Sequence, residues 1–175
     1  ICNINKIMIV ACGSAYHTGV MAKYVFEGIA RVPVEVDLAS EYRYRDPIFD
    51  RNTLVIIVSQ SGETADSLAA LRESKANGQR VLGIVNVVGS SIAREADNVM
   101  YTWAGPEISV ATTKAYSAQL ASFYLLAMKF GKVRKALADS DYEQMIGDLQ
   151  QLPGMMEELL KDRQQIQRFA NRYLA

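Results

Sequence analysis

Cysteine is scarce in this sequence, and its placement fits neither a metal site nor a disulfide framework. The 175 residues include only Cys2 and Cys12, whereas zinc sites and disulfide-rich folds need more numerous, regularly spaced thiols. The sequence also lacks a signal-peptide pattern and any apolar run long enough to cross a bilayer. We therefore expect a reduced, cytoplasmic protein that has no metal and no membrane partner.

A surplus of positive charge is absent as well. Lysine and arginine total 19, and aspartate and glutamate also total 19, so nothing favours binding to the backbone of a nucleic acid. Half of the residues are hydrophobic, which at this length is enough for a soluble globular core. We expect no nucleic-acid partner, and any anion site must depend on local dipoles and hydroxyls.

Groups that could carry out a reaction are also missing. His17 is the only histidine, and we find no carboxylate pair, nucleophile–base pair or metal cluster that would support catalysis. A lone histidine near a helix start is usually a surface or partly buried residue, so we assign it no role. The sequence thus predicts no catalytic residue within this chain.

A short apolar run at residues 54–58 organises what is present. Four of its five residues are β-branched and none is polar, which is typical of a strand buried on both faces of a parallel sheet. The sequence Ser-Gln-Ser-Gly follows directly, and a helical pattern begins at Ala65. In open α/β folds, ligands bind at such strand-to-helix turns.

We interpret this turn as a phosphate site. Ser59, Ser61 and Thr64 add hydroxyls to the unpaired N–H groups of the first helical turn. Gly62 tolerates a positive φ and lets the backbone come close to an anion. The simpler alternative is that Ser61 merely caps the helix. A cap needs one hydroxyl whereas the loop supplies three, so we favour the anion site.

A second turn of the same kind occurs near the start of the chain. Residues 7–11 form another apolar run, and a helical stripe begins at His17 after the intervening small residues. With only Gly13 and Gly19, the segment lacks the three closely spaced glycines of a dinucleotide-binding turn. Two such turns at one sheet edge strengthen the prediction of a binding site there.

The remaining pattern alternates strands with helices. We predict further strands at residues 34–38, 81–85 and 98–101, a helix at residues 65–77 ending at Gly78, and a short helix through Glu95. This alternation predicts an α/β fold, namely a three-layer sandwich with a five-stranded parallel sheet, flavodoxin-like and doubly wound.

Two segments suggest contacts with another chain. Residues 39–45 are dense in charges and aromatic rings, and we interpret them equally as a solvated loop or as a subunit contact. The helix predicted from Lys114 to Phe130, ending before Gly131, is apolar over most of its circumference. It must be buried in the core, against a partner, or both. We expect a homodimer; a strict monomer in sedimentation would leave only a contact with another domain.

The chain is predicted to have two parts. Residues 1–131 form the binding domain, and residues 132–175 form a more polar helical connector. Within the connector we predict helices at residues 142–151 and 155–173, separated by a Pro-Gly pair. No strand follows them, so we expect the connector to lead to a further domain.

Four motifs in register resemble the sugar isomerase (SIS) domain family. They are Cys12-Gly13-Ser14, the segment 39–45, Ser59-Gln60-Ser61-Gly62-Glu63-Thr64-Ala65-Asp66 and Val110-Ala111-Thr112-Thr113-Lys114. More narrowly, they are similar to the first of the two SIS halves in the isomerizing glutamine–fructose-6-phosphate aminotransferases. The similarity runs from about Ile7 to Gly131.

This resemblance implies a half-site for a sugar phosphate, either fructose 6-phosphate or glucosamine 6-phosphate. In that family the phosphate is held by the residues matching Ser59, Gln60, Ser61 and Thr64. The sugar is lined by those matching Cys12, Gly13, Ser14, Val110 and Thr112. Ala15 stands where the family often has serine, so one hydroxyl is missing from this site. Thr112 also stands where serine is common, but threonine keeps the hydroxyl group.

The resemblance also implies a reaction. The family converts fructose 6-phosphate and glutamine to glucosamine 6-phosphate and glutamate without an organic cofactor, using ammonia from a separate glutaminase domain. Its general-base glutamate, ring-opening histidine and Schiff-base lysine match positions beyond Ala175. We therefore expect an inactive half whose partners are the missing glutaminase and second SIS domains. The alternatives are a stand-alone SIS sugar-phosphate-binding regulator and a single-domain sugar-phosphate isomerase.

Overall fold

A five-stranded parallel sheet forms the core of the first of two compact units, Ile1–Leu137 and Ala138–Ala175. The computed structural model describes residues 1–109 and 112–174. The strands are β1 (Lys6–Ala11), β2 (Val34–Leu38), β3 (Thr53–Ser59), β4 (Arg80–Val85) and β5 (Asn98–Tyr101). They lie in the order β2-β1-β3-β4-β5, and every neighbouring pair is parallel. The predicted sheet is confirmed.

Burial explains the apolar runs from which the strands were predicted. All seven residues of β3 are buried, because this strand lies at the centre of the sheet with helices over both faces. The edge strands β2 and β5 instead carry exposed polar residues such as Glu35 and Asn98. The number of consecutive apolar residues in a strand therefore indicates whether it lies at the centre or at the edge of the sheet.

Helices cover both faces of the sheet. They are α1 (Gly13–Ile29), α2 (Ala39–Tyr44), α3 (Ala65–Ala76), α4 (Ser91–Glu95) and α5 (Lys114–Val133). Alternate strand residues face opposite layers: Ile7 and Ile9 pack with α1 and α5, while Met8 and Val10 pack with α2, α3 and α4. This is the predicted three-layer sandwich. Among the helices of the described residues, none has the length and apolar content to cross a membrane.

The layer of α1 and α5 contains a cluster of phenylalanine rings. The ring of Phe26 meets those of Phe123 and Phe130 edge-on, with centroids 6.3 and 5.6 Å apart. The prediction that α5 ends before Gly131 is wrong. A Cβ at Gly131 would lie 2.9 Å from the carbonyl oxygen of Ile29, so this glycine permits close helix packing and is not a stop signal.

Residues 39–45 do not form the predicted loop. Ala39–Tyr44 form α2, in which Tyr42 is buried while Arg43, Tyr44 and the following Arg45 stay exposed. The Tyr42 hydroxyl lies 3.0 Å from Oγ of Ser74, and burial raises the pKa of this phenol. The solvated-loop interpretation is therefore wrong, while the subunit contact stays a prediction.

The second unit consists of helices α6 (Asp139–Leu160) and α7 (Arg163–Arg172). The predicted break at Pro153 is wrong, because α6 continues through it and ends at Leu160. Proline removes one helical hydrogen bond, but Met, Leu and Glu residues that favour helix follow it. Through Leu174, neither helix of this unit buries a residue, and Met155, Leu159 and Phe169 are all exposed.

Candidate functional site

A cleft opens at the carboxyl ends of β1 and β3, where the connections leave the sheet in opposite directions. The chain passes from β1 through α1 to the outer strand β2, and from β3 through α3 to β4 on the other side. A crevice at such a switch point is the usual ligand site of open α/β sheets. The cleft has a volume of about 270 Å³ and is lined by Cys12, Gly13, Ser14, Ala15, Val58, Ser59, Gln60, Ser61, Thr64 and Gln119.

Most of the predicted binding residues line this one cleft. The turn 12–14 and the loop 59–64 meet there because β1 pairs directly with β3, with Ala11 opposite Val58. Val110 lies outside the described residues. Thr112 is half-buried and is not part of the cleft lining. The structure thus brings the two predicted turns together, and the binding role of their residues stays a prediction.

Internal hydrogen bonds hold the 59–64 loop in shape. Ser59 is only 3% exposed, and its Oγ accepts a bond from the Gly62 N–H at 3.0 Å and lies 3.1 Å from Oγ1 of Thr64. The N–H of Glu63 donates to Oγ of Ser61 at 3.2 Å. Ser59 therefore organises the loop from within, while Ser61 and Thr64 are more accessible to a ligand.

Two helix N-termini reach the cleft. Cys12 and Thr64 occupy the N-cap positions of α1 and α3, and, within the described part of the chain, neither side chain bonds to the amides of its helix. The interpretation of Ser61 as a simple cap is therefore wrong, because Thr64 holds the cap position and α3 begins at Ala65. The uncapped amides and the positive ends of both helix dipoles favour an anion.

Gly62 lets the loop lie directly on α4. Its φ is +67°, and a Cβ there would lie 2.0 Å from Oγ and 2.5 Å from Cβ of Ser90. Its carbonyl accepts a bond from the N–H of Ile92 at 3.0 Å. Oγ of Ser90 is buried and has no hydrogen-bond partner among the described residues. Only glycine fits both the conformation and the space at this position.

Glu63 fastens the same loop to α4, a role that the sequence did not suggest. Its Oε1 accepts a bond from the Ser91 N–H at 2.8 Å. The hydroxyl and the N–H of Ser91, with a smaller attraction from Arg94, hold the pKa of Glu63 below its ordinary value. The carboxylate bonds to α4, which leaves the cleft itself free of its charge.

Lowering the pH is expected to release this contact only below the ordinary carboxyl range. Because the pKa of Glu63 is depressed from 4.5 in the folded chain, the contact adds stability above the unfolded pKa and is lost as pH falls through the lower folded value. NMR of the Ser91 amide between about pH 6 and pH 3 should show this transition. Glu63→Gln should abolish it, and a midpoint at or above the ordinary value would contradict it.

Sequence reasoning also missed Gln119. This residue lies on α5 and lines the cleft although it is only 2% exposed. Its Oε1 lies 3.4 Å from Oγ1 of Thr18 on α1. The available signal was a long amide in a helix whose other inward positions are small or apolar, but only the packing of α5 on α1 places it at the cleft.

The described lining of the cleft is polar but carries no charged side chain. Among the described residues that line it, none is charged and none is a histidine. Residues 1–109 and 112–174 also contain no cluster of three histidine, cysteine, aspartate or glutamate side chains that could hold a metal ion. Hydroxyls, amides and helix dipoles can hold an anion, and the Cys12 thiol is the one titratable side chain among the described lining residues.

Residues 1–129 match the profile of the family described as SIS domain. The chain belongs to the SIS domain family. Of the motifs from which this similarity was predicted, the turn 12–14 and the loop 59–64 line the cleft, and the segment 39–45 contains α2. The described part of the fourth motif, residues 112–114, leads into α5.

Two relatives show what kind of SIS domain this chain is similar to. The isomerizing glutamine–fructose-6-phosphate aminotransferase of Clostridium acetobutylicum is 57% identical over 173 residues, which are 98% of this chain and 28% of that protein. The enzyme of the same name from Caldanaerobacter subterraneus subsp. tengcongensis is 54% identical over 170 residues, which are 97% of this chain and 28% of that protein. The predicted resemblance is confirmed, and this SIS chain spans 28% of the length of the curated relatives it matches.

A solved structure agrees with this similarity. The C-terminal domain of glucosamine-fructose-6-phosphate aminotransferase from Francisella tularensis superposes on this SIS chain with a TM-score of 0.92 at 38% identity. The match covers 95% of this chain and 48% of that one. The predicted fold, flavodoxin-like and doubly wound, is that of a known SIS domain.

Proposed function

We propose that the chain binds a hexose 6-phosphate in the cleft between β1 and β3. It would be the sugar-phosphate-binding half of the isomerase region of an enzyme that makes glucosamine 6-phosphate from fructose 6-phosphate and glutamine. The observation that carries this proposal is the meeting of two uncapped helix N-termini and a hydroxyl-bearing loop at one sheet edge. The names of the aminotransferase relatives support the choice of sugar.

The two walls of the cleft suit the two ends of such a ligand. The 59–64 loop offers the hydroxyls of Ser61 and Thr64 and the amides of α3 to the phosphate. The 12–14 turn at the start of α1, with Gly13 and Ser14 exposed, faces the sugar. Gln60 lines the same cleft. No lysine or arginine is needed, because dipoles and neutral donors hold the anion.

We further propose that this chain binds the sugar phosphate without converting it. Among the described residues that line the cleft, the absence of histidine, carboxylate and lysine side chains supports this, since isomerisation needs a base to move a proton. The base, the second SIS domain and the glutaminase domain would be supplied by the rest of the enzyme, which uses no organic cofactor. The exposed apolar side chains of residues 138–174 are suited to a connector that packs on such a domain. A homodimer and a cytoplasmic location remain part of the proposal.

The alternative functions have less support. Identity of 57% to an isomerizing aminotransferase favours the enzyme half over a stand-alone regulator. A single-domain isomerase would need its own acid–base residue in the cleft, and the described lining residues include no histidine, carboxylate or lysine. We therefore put forward only the sugar-phosphate-binding half.

Titration with fructose 6-phosphate, followed by NMR of the backbone amides, tests the proposal. We expect the largest shifts at residues 59–64 and 12–14, because these segments line the cleft. Ser61→Ala should weaken binding roughly tenfold, since it removes one hydrogen bond to a charged phosphate. Ser117→Ala is the matched control, because Ser117 is exposed on α5 outside the cleft and should leave the affinity unchanged.

Two results would count against the proposal. One is a titration in which fructose 6-phosphate saturates the chain but shifts only amides outside residues 12–14 and 59–64. The other is equal binding by Ser61→Ala and the native chain. Thermal melts of both serine variants show whether either change has altered the fold.

A further inference from the structure

Gln119 is the buried polar side chain of α5 that turns away from its own helix. The neighbouring buried hydroxyl of Ser122 bonds to the Ala118 carbonyl of α5 at 2.8 Å. Gln119, only 2% exposed, instead reaches towards Thr18 on α1 and lines the cleft. A buried amide is stable only when its donors and acceptor find partners. Its contacts therefore decide what it can do.

Thr18 gives this amide an incomplete partner. The hydroxyl of Thr18 has one hydrogen, and it donates to the Ala15 carbonyl at 2.7 Å. The distance from the same oxygen to Oε1 of Gln119 is 3.4 Å, which is long for a hydrogen bond. Because the short bond uses the hydroxyl hydrogen, Thr18 does little to satisfy Oε1. The amide thus keeps hydrogen-bonding capacity next to the cleft.

The amide can bond to a hydroxyl through its N–H groups or its oxygen, but to a phosphate oxygen through its N–H groups alone. A carboxamide both donates and accepts hydrogen bonds, as does the hydroxyl of a sugar. A phosphate oxygen only accepts. Gln119 lies beside Thr18, whose hydroxyl bonds to Ala15 on the α1 wall of the cleft, whereas the hydroxyls proposed to bind the phosphate belong to the 59–64 loop after β3. The amide is therefore placed and equipped for the sugar end of the ligand.

We propose that Gln119 is a specificity-determining residue that hydrogen-bonds a hydroxyl of the sugar. This role rests on the proposed function, in which the same cleft holds a hexose 6-phosphate. It makes the cleft discriminate a sugar phosphate from inorganic phosphate. The 59–64 loop alone would bind both through the same phosphoryl oxygens.

The affinities of the native chain and of Gln119→Met for two probes test this role. Methionine keeps the length and helix preference of glutamine but has no amide. We expect Gln119→Met to weaken the affinity for fructose 6-phosphate by about tenfold, which is the effect of one hydrogen bond. The affinity for inorganic phosphate should stay within twofold of the native value. A merely structural role would lower both affinities in proportion, and that result, or no change in either, would overturn the proposal.

A second measurement needs no variant. In the native chain, fructose 6-phosphate should shift the side-chain NH₂ resonances of Gln119, and inorganic phosphate should leave them in place. Resonances that stay unmoved at saturation with the sugar would overturn the role of Gln119 while leaving sugar-phosphate binding intact. Failure of the native chain to bind fructose 6-phosphate at all would instead defeat the proposed function, and this inference with it.

Discussion

Replacing Gly62 with alanine is expected to destabilise the fold by about 2–5 kcal/mol and to abolish phosphate binding. About 1–2 kcal/mol comes from placing a side chain in a left-handed conformation. Another 1–3 kcal/mol comes from overpacking, since the new Cβ would lie 2.5 Å from Cβ of Ser90 and 2.0 Å from its Oγ. Relief of this clash would lift the loop off α4, which breaks the geometry around Ser59. Urea denaturation measures the first effect, and titration with fructose 6-phosphate the second.

Gly89 provides the matched control for this substitution. It also has a positive φ, +74°, but a Cβ there would meet no atom within 4 Å. Gly89→Ala should therefore show the conformational cost alone, about 1–2 kcal/mol, and should keep ligand binding. If both alanine variants lost the same stability and both bound ligand, the close contact between Gly62 and Ser90 would have no energetic role.

Truncation of Phe123 to alanine should be at least as damaging to stability, at about 3–5 kcal/mol, the range for large-to-small changes of buried aromatic residues. The ring is fully buried between α1, α5 and the sheet, and meets Phe26 edge-on at 6.3 Å. Removing it leaves a cavity that the rigid sheet cannot fill. Because small domains have only about 5–15 kcal/mol of stability, urea denaturation should reveal a much earlier midpoint.

Leu125 is the control for Phe123, because it lies on the same helix and is 41% exposed. Leu125→Ala should cost less than about 1 kcal/mol, since surface truncations have small effects. Equal losses for the two variants would contradict the packing described for α5. A large loss at Leu125 alone would instead indicate that this face is covered by another chain or domain.

The sheet could be predicted because its physics is local in sequence. A strand buried on both faces must be apolar at every position, and the run at residues 54–58 shows this without reference to any partner. The turns were also predictable, since hydroxyls and glycine directly after such a run have few other roles. Fold class and the location of the cleft followed from these two signals.

The errors concern residues whose role depends on another element. Gly131 is predicted as a helix stop, but the structure places it against the backbone of Ile29, where only a residue without a side chain fits. Pro153 lies inside α6, where the flanking residues sustain the helix. Tyr42 belongs to the segment 39–45, which the sequence predicts to be a solvated loop or a subunit contact. Its buried partner, Ser74, is distant in sequence, so the burial of Tyr42 could not be predicted. Sequence spacing contains no information about such contacts.

Within the site, types of residue were predicted better than their orientations. Ser59 lines the cleft as predicted from its place in the turn, and its phosphate-binding role stays a prediction, but its contacts with Gly62 and Thr64 within the loop could not be read from the sequence. Gln119 was overlooked because its position at the cleft depends on how α5 lies against α1. Orientation comes from packing, and packing is a property of the whole fold.

Direct pairing of β1 with β3 has a consequence for how the site comes into being. The two walls of the cleft belong to neighbouring strands, yet α1, β2 and α2 separate them along the chain. A partly folded chain in which only β3 and β4 have paired would have one wall and no ligand. If the proposed sugar phosphate binds in this cleft, its binding would therefore require that β1 and β3 have already paired.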